Sequence, residues 1–576
     1  MKEAIALLLS MFMFASSLPA EGSGDIKASL HLESDSKVNP VELLHILPPP
    51  SHFIIPKGSS LRLTADIGNE SDREARVTLE ITSSWQGAKR EERISIRPGE
   101  SGKITLNLSF PLGSHSLKAA LKEGGRIIAE KEWKVICEEM GEMPPFSASY
   151  CDLRYDLPVL FFKEGKFEKK EWKEVWRNGP LSDIVVRFPS GARMVFWKGT
   201  SYIPIWAFQK CGFSYEWVEV VSPRPPEFVD CVEPLMDREC RYSHASIIQN
   251  TPARILVHWR YALCDFNYRI YEDEWVDEYY YLYPDGVGVR AIIGWLAPGV
   301  RHEMNELITV LPPATHPNDI LPSNAVDFLD LEGNKQSVSW PQPRLNWPTG
   351  KPSIIRVKLK EDFHPFMVSP AITEYLAVWD GWKKNGEYVS PCYWGNHWPV
   401  TRGLNTVGYI PEGWEEGPAH ASLISMNHKP FEEMDVSPSI HKTVWALLIG
   451  TVRKEEKDEK LLSLASSWLN PAELKVENSK TKSKGYDPLQ RAYVLECEEK
   501  VPSIKMRMEP RGKMLHPAFV FRNLSAEVSE LLLNGNKLAS NLYSWGVEDE
   551  GNKRNLVLWL GIEIEKPTNI EIKLKE

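Results

Sequence analysis

Apolar and polar residues alternate with a period of two along much of this chain, and helical spacing is convincing in one place only. Leu61-Arg-Leu-Thr-Ala-Asp66, Val77-Thr-Leu-Glu-Ile-Thr82 and Gly102-Lys-Ile-Thr-Leu-Asn-Leu108 alternate near the start. Phe519-Val-Phe-Arg522 and Leu556-Val-Leu-Trp-Leu560 are strand-like near the end. Successive side chains of a strand point to opposite faces, so such segments fit half-buried strands. Turn residues separate them at Gly68-Asn-Glu-Ser71, Pro98-Gly99, Pro189-Ser-Gly191, Pro284-Asp-Gly286, Glu332-Gly-Asn334 and Asn534-Gly535. The exception is the helical stripe Leu461, Leu462, Leu464, Ala465, Trp468 and Leu469, which stops at Asn470-Pro471. The pattern predicts an all-β chain.

With 576 residues the chain exceeds one core, and about three or four domains is the natural expectation. Residues 25–137 predict an immunoglobulin-like β-sandwich, a type of module that serves as spacer or accessory. Residues 145–500 are richer in aromatics, and 501–576 predict a small second β-sandwich. The 21 Trp, 19 Tyr and 20 Phe suit pleated surfaces; they also suit sugars, whose apolar C–H faces pack on aromatic rings. A net charge of −10 argues against a nucleic-acid surface, which needs a basic stripe.

Lys2, the apolar run Ala4–Ala15 and the small residues Ser16, Ser17 and Ala20 predict a signal peptide over 1–20 and export from the cytoplasm. No later segment is long enough to predict a membrane span. Eight cysteines stand without a C-x-x-C pair, which excludes a zinc ribbon but leaves both a bridge and buried thiols open; Cys231 and Cys240 are closest in sequence. Phosphate-loop, dinucleotide and serine-hydrolase signatures are absent.

A series of segments then narrows the class. These are Val195-Phe-Trp-Lys-Gly-Thr-Ser-Tyr-Ile-Pro-Ile-Trp206, Cys240-Arg-Tyr-Ser-His244, Val257-His-Trp-Arg-Tyr261, Asp277-Glu-Tyr-Tyr-Tyr-Leu-Tyr-Pro-Asp-Gly286, Asn396-His-Trp-Pro399, Ser467-Trp-Leu-Asn-Pro471 and Gly485-Tyr-Asp-Pro-Leu-Gln-Arg-Ala-Tyr493. In that order they resemble the secreted seven-bladed β-propeller group of ulvan lyases and α-L-rhamnosidases acting on rhamnose–glucuronate linkages. The likeness spans residues 180–500. It implies a seven-bladed propeller over 145–500, for which blades of roughly 50 residues leave room. It also implies an acidic polysaccharide as partner, with no cofactor required.

The implied lyase chemistry is β-elimination. A cation neutralises the uronate carboxylate, a His or Tyr removes the C5 proton, and an acid protonates the leaving oxygen. His244, His258, Tyr281, Arg290 and His397 are the catalytic candidates, with Arg290 holding the carboxylate. Arg241, Tyr261, Asn396 and Trp398 are candidates for binding sugar. His302, beside Glu303, and His316 are metal candidates that leave room for structural zinc or calcium. The group's lyases carry an early histidine pair, whereas this chain has no His between residues 115 and 243, so His244 and His258 are the only early pair it offers. Rhamnosidase activity and non-catalytic glycan binding at a cell surface are the competing expectations.

Overall fold

The structure, a computed structural model, describes residues 26–34, 52–56, 58, 60–84, 90–138, 144–151, 159–163, 166–170, 181–312, 315–384, 387–389, 391–394, 419–477, 479–498, 501–551 and 553–575. The proposed leader and the segment carrying Asn396, His397 and Trp398 lie outside them.

The described chain is all-β apart from short helical pieces, of which Asp458–Leu469 is the longest. The first sandwich is built from Ile26–Ser34 through Arg126–Glu138. A three-stranded and a five-stranded sheet close on a core that includes Leu61, Leu63, Leu79, Leu117 and Trp133. The alternation in Ala75–Ser83 places Val77, Leu79 and Ile81 inside while Arg76 is exposed.

The strands from Ser147 to Arg453 belong mainly to two large antiparallel sheets, of nine and ten strands. Seven radial blades, the arrangement expected here, do not occur among the described residues. The reason is physical: a blade strand and a sandwich strand share the same period of two, so alternation does not distinguish them. What distinguishes them is the partner surface. One continuous apolar core joins Trp206, Phe213 and Ile308 of the nine-stranded sheet to Val257, Trp259, Ile292 and Leu447 of the ten-stranded sheet. The pair is a large β-sandwich.

The ten-stranded sheet has a divided outer face. Over part of it, Val289, Ala291, Ala446 and Leu448 pack under the helix through Leu461, Leu464, Ala465 and Trp468. Over the strands His244–Asn250, Ile255–Cys264 and Ile270–Leu282 the outer residues turn polar and aromatic. That uncovered part holds His244 and His258, two of the residues singled out from the sequence.

The last module begins at Glu473, before the expected 501. Glu473–Val476 joins one of its five-stranded sheets, and Thr481–Asp487 and Ala492–Cys497 join the other. It is keyed onto the central sandwich by buried ion pairs. Arg254 grips Glu548 through Nε to Oε1 (3.0 Å) and through Nη2 to Oε2. Arg491 Nη2 and His516 Nδ1 both meet Asp285 Oδ2 at 2.8 Å. Gly546 sits where an added Cβ would collide with the side chain of Thr251.

Candidate functional site

Strand register assembles the site. His244, Arg260, Asp277 and Ile293 lie opposite one another on four neighbouring strands, as do Ser246, His258, Tyr279 and Ala291 in the next row. Side chains directly paired across strands share a face, and this is the uncovered face.

Asp277 is its hub. His258 Nε2 lies 2.8 Å from Oδ1, while Arg260 Nη1 at 2.6 Å and Trp295 Nε1 at 2.9 Å donate to Oδ2. Burial pushes the Asp277 carboxyl up, but hydrogen bonds from His258, Arg260 and Trp295 outweigh it and hold the group below its ordinary value. The His258 ring stacks on Tyr279 with centroids 4.5 Å apart and planes 11° apart. The Arg260 guanidinium lies 4.7 Å over the Trp275 ring, and Tyr242 meets that indole edge-on. Asp237 shapes the neighbouring turn by accepting from the backbone N–H groups of Arg241, Tyr242 and Ser243, each at 2.8 Å.

The sequence candidates therefore separate. His244, exposed, and His258, half-buried, share the face. Tyr281 shares it too, but lies under the guanidinium of Arg254 and packs against the last module; burial raises its hydroxyl to about 12, away from the range of a base. Arg241 pairs with Glu239 at 2.7 Å and covers the ring of Tyr268. Arg290 and Tyr261 belong to the opposite face and are 0% exposed.

Expecting Arg290 to hold a substrate carboxylate is thus corrected. Its guanidinium forks onto Glu278, Nε to Oε2 at 2.7 Å and Nη2 to Oε1 at 2.6 Å, deep in the core. Tyr261 and Tyr280 hydroxyls donate to the same carboxylate at 2.9 and 2.6 Å. The alternation places it there: Arg290 is paired with Tyr280 and follows the inner parity of Ile292. The metal pair is corrected as well. His302 Nε2 contacts buried Glu274 at 3.0 and 3.1 Å, and the backbone N–H of His316 donates to Asp319 in a helix cap. Neither histidine belongs to a cluster of potential metal ligands among the described residues. Cys240 donates its thiol to Lys198 O at 3.3 Å, while Cys231 lies beside Glu219 and Glu233.

A second locus occupies the mouth between the sheets. A cavity of about 450 Å³ is lined by residues including His302, Asn427, His428, His441, Thr443 and Trp445. His428 bonds Ser369 Oγ through Nδ1 at 2.8 Å; burial, helped by the charge of Arg290, lowers it to about 3, so it stays neutral. The strands Arg301–Glu303 and Ala419–His428, which carry His302 and Asn427, also carry Glu303 and Ser425, and the following strand Asn305–Leu311 carries Glu306. Glu216, Glu303 and Glu306 cluster there, with Glu219, Cys231 and Glu233 as a neighbouring group. These acidic clusters are capable of holding a metal ion.

Sequence reasoning missed Arg260, Asp277 as an organising carboxylate, Trp295, and the acidic clusters. A signal for the last was present: Glu216-Trp-Val-Glu219 and Glu303-Met-Asn-Glu306 repeat one carboxylate spacing within apolar surroundings.

No protein-family model matches the chain, and no curated protein matches it. Among solved structures, a Pseudomonas fluorescens alkylpurine DNA glycosylase AlkC bound to DNA is 14% identical, with a TM-score of 0.14, covering 20% of this chain and 31% of that one. A β-glucosidase from Listeria innocua in complex with glucose is 16% identical, with a TM-score of 0.13, covering 19% and 16%. The chain thus spans less than a third of those proteins, and likenesses this slight carry no functional argument.

Proposed function

We propose that this is an exported protein that binds acidic polysaccharide on the uncovered face of its ten-stranded sheet and cleaves it there by β-elimination. The observation that carries the reading is the triple hold on Asp277 by His258, Arg260 and Trp295. A carboxylate that accepts Nε2–H leaves Nδ1 as the basic nitrogen of His258, the group to take a C5 proton. Arg260 commits Nη1 to Asp277 and keeps further N–H donors for a uronate carboxylate. His244, in register with Arg260, supplies the acid for the departing oxygen. Trp295 and Tyr279 offer ring surface to a sugar. The cation of the mechanism moves from Arg290 to Arg260. The first sandwich serves as an immunoglobulin-like spacer, and the substrate class is the one the sequence resemblance implies.

Incubation with ulvan, gum arabic and rhamnogalacturonan tests the reading through ultraviolet absorbance and reducing ends. A rise in both, reduced at least 100-fold in His258→Ala and in Arg260→Leu at unchanged unfolding midpoint, is expected; loss of one acid–base group costs typically 10²–10⁴. Reducing ends without absorbance indicate hydrolysis and overturn the elimination. A second reading, glycan binding without turnover, draws on the position of the 450 Å³ cavity, which lies at the mouth and not on this face. Retention on a polysaccharide column with neither product would select it.

A further inference from the structure

Glu216, Glu303 and Glu306 are 5%, 7% and 8% exposed, and each offers an oxygen within 4.8 Å of those of the others. Three buried carboxyls at that spacing need compensation whenever they ionise, because an unpaired carboxylate in a low-dielectric interior costs several kcal/mol or more. Among the described residues no Lys or Arg forms an ion pair with any of the three. Arg301, a cation that acts on Glu303, is half-exposed and pairs with Glu374 at 3.0 Å. Ser425 Oγ reaches Glu306 Oε2 at a long 3.3 Å, Ser422 also acts on Glu306, and Ser425 acts on Glu303 as well.

The second observation is the deficit that remains. Glu216 Oε2, Glu303 Oε1 and Glu306 Oε1 are buried without a hydrogen-bond donor. Protons shared among the three carboxyls are the competing way to meet this deficit, and they compete with a cation for the same oxygens. A cation satisfies all three together. Ligand oxygens about 2.4 Å from a calcium-sized ion stand at most about 4.8 Å apart, which the trio meets. The donors are carboxylates, with Ser425 alongside and no imidazole or thiolate in the trio, so the set suits a hard ion and not zinc or copper.

We infer that Glu216, Glu303 and Glu306 form a divalent-cation site for Ca²⁺ or Mn²⁺, tying the Arg301–Glu303 and Asn305–Leu311 strands to the segment after Gly212–Ser214 at the mouth of the central sandwich. The site is separate from the Asp277 face, and neither depends on the other.

The full chain, stripped with EDTA and dialysed, is titrated with Mn²⁺ while free ion is followed by electron paramagnetic resonance. One tightly held Mn²⁺ per chain, displaced by Ca²⁺, is expected, with a rise of several degrees in Tm when Ca²⁺ is added. Both effects vanish in Glu303→Gln/Glu306→Gln, whose Tm in EDTA is no lower than that of the parent. Absence of bound Mn²⁺ in the parent protein at about 1 mM, the weak end of protein calcium sites, overturns the inference. Binding and Tm shift that persist undiminished in the double variant overturn it too. Should that variant not fold, Glu303→Gln alone replaces it, and the parent titration decides the matter without any variant.

Discussion

At the scale of single residues, the most consequential position is Arg290. A buried pair costs little when replaced whole, but losing one partner leaves an uncompensated charge and costs about 3–5 kcal/mol. Arg290→Leu strands Glu278 together with two tyrosine hydroxyls aimed at it. Urea unfolding of that variant is expected to show a loss in this range, with sugar binding per folded molecule unchanged; selective loss of binding at full stability would return Arg290 to the surface chemistry. His428 makes the second case. Its folded value of about 3 lies below the ordinary histidine value, so the unfolded chain binds more protons between about 6.5 and 3. Stability therefore falls as pH falls through that window, by up to about 1.4 kcal/mol per unit from this group. His428→Asn is expected to flatten the acid limb of the stability profile by that slope, and an unchanged limb counts against the buried neutral ring.

At the scale of elements, the helix Asp458–Leu469 acts as a lid over sheet residues. Trp468 is 2% exposed and donates to Pro488 O at 2.9 Å, tying helix, sheet and last module together. Truncation to Ala is expected to cost about 3–5 kcal/mol, read from the unfolding midpoint; a change below about 1 kcal/mol would mean that the lid packs elsewhere. This helix was legible from the sequence because its stripe has one period and one stop signal. The strands were legible for the same reason, whereas the shared face of His244 and His258 depends on the register between two strands and came only with the pairing. What alternation leaves undecided is which side of a strand is inside. Tyr279–Tyr283 and Val287–Arg290 carry large or polar residues on both parities, so nothing local marks Arg290 as interior. The decision lies with the nine-stranded sheet, whose strands precede and follow in the chain, and with the residues it brings opposite.

At the scale of the whole molecule, the same long-range choice explains why the propeller expectation failed. Blade and sandwich differ only in which distant strands meet, and those meetings leave no periodic trace in a sequence without repeats. The last module makes the point again: its first strand follows the helix almost directly, so no composition change marks Glu473 as a boundary. Its dependence on the central sheet is testable. Gly546→Ala pushes a methyl into Thr251 and is expected to lower Tm by several degrees or to expose a protease-sensitive tail; an unaffected Tm and digestion pattern would show that the tail docks independently. The guanidinium forks of Arg254 on Glu548 and Arg491 on Asp285 have a consequence for how the protein tumbles. Two planar grips set well apart in sequence remove the swivel that a single contact would leave. The central sandwich and its carboxy-terminal partner should rotate in solution with a common correlation time, as one rigid gyrating body and not as beads on a thread.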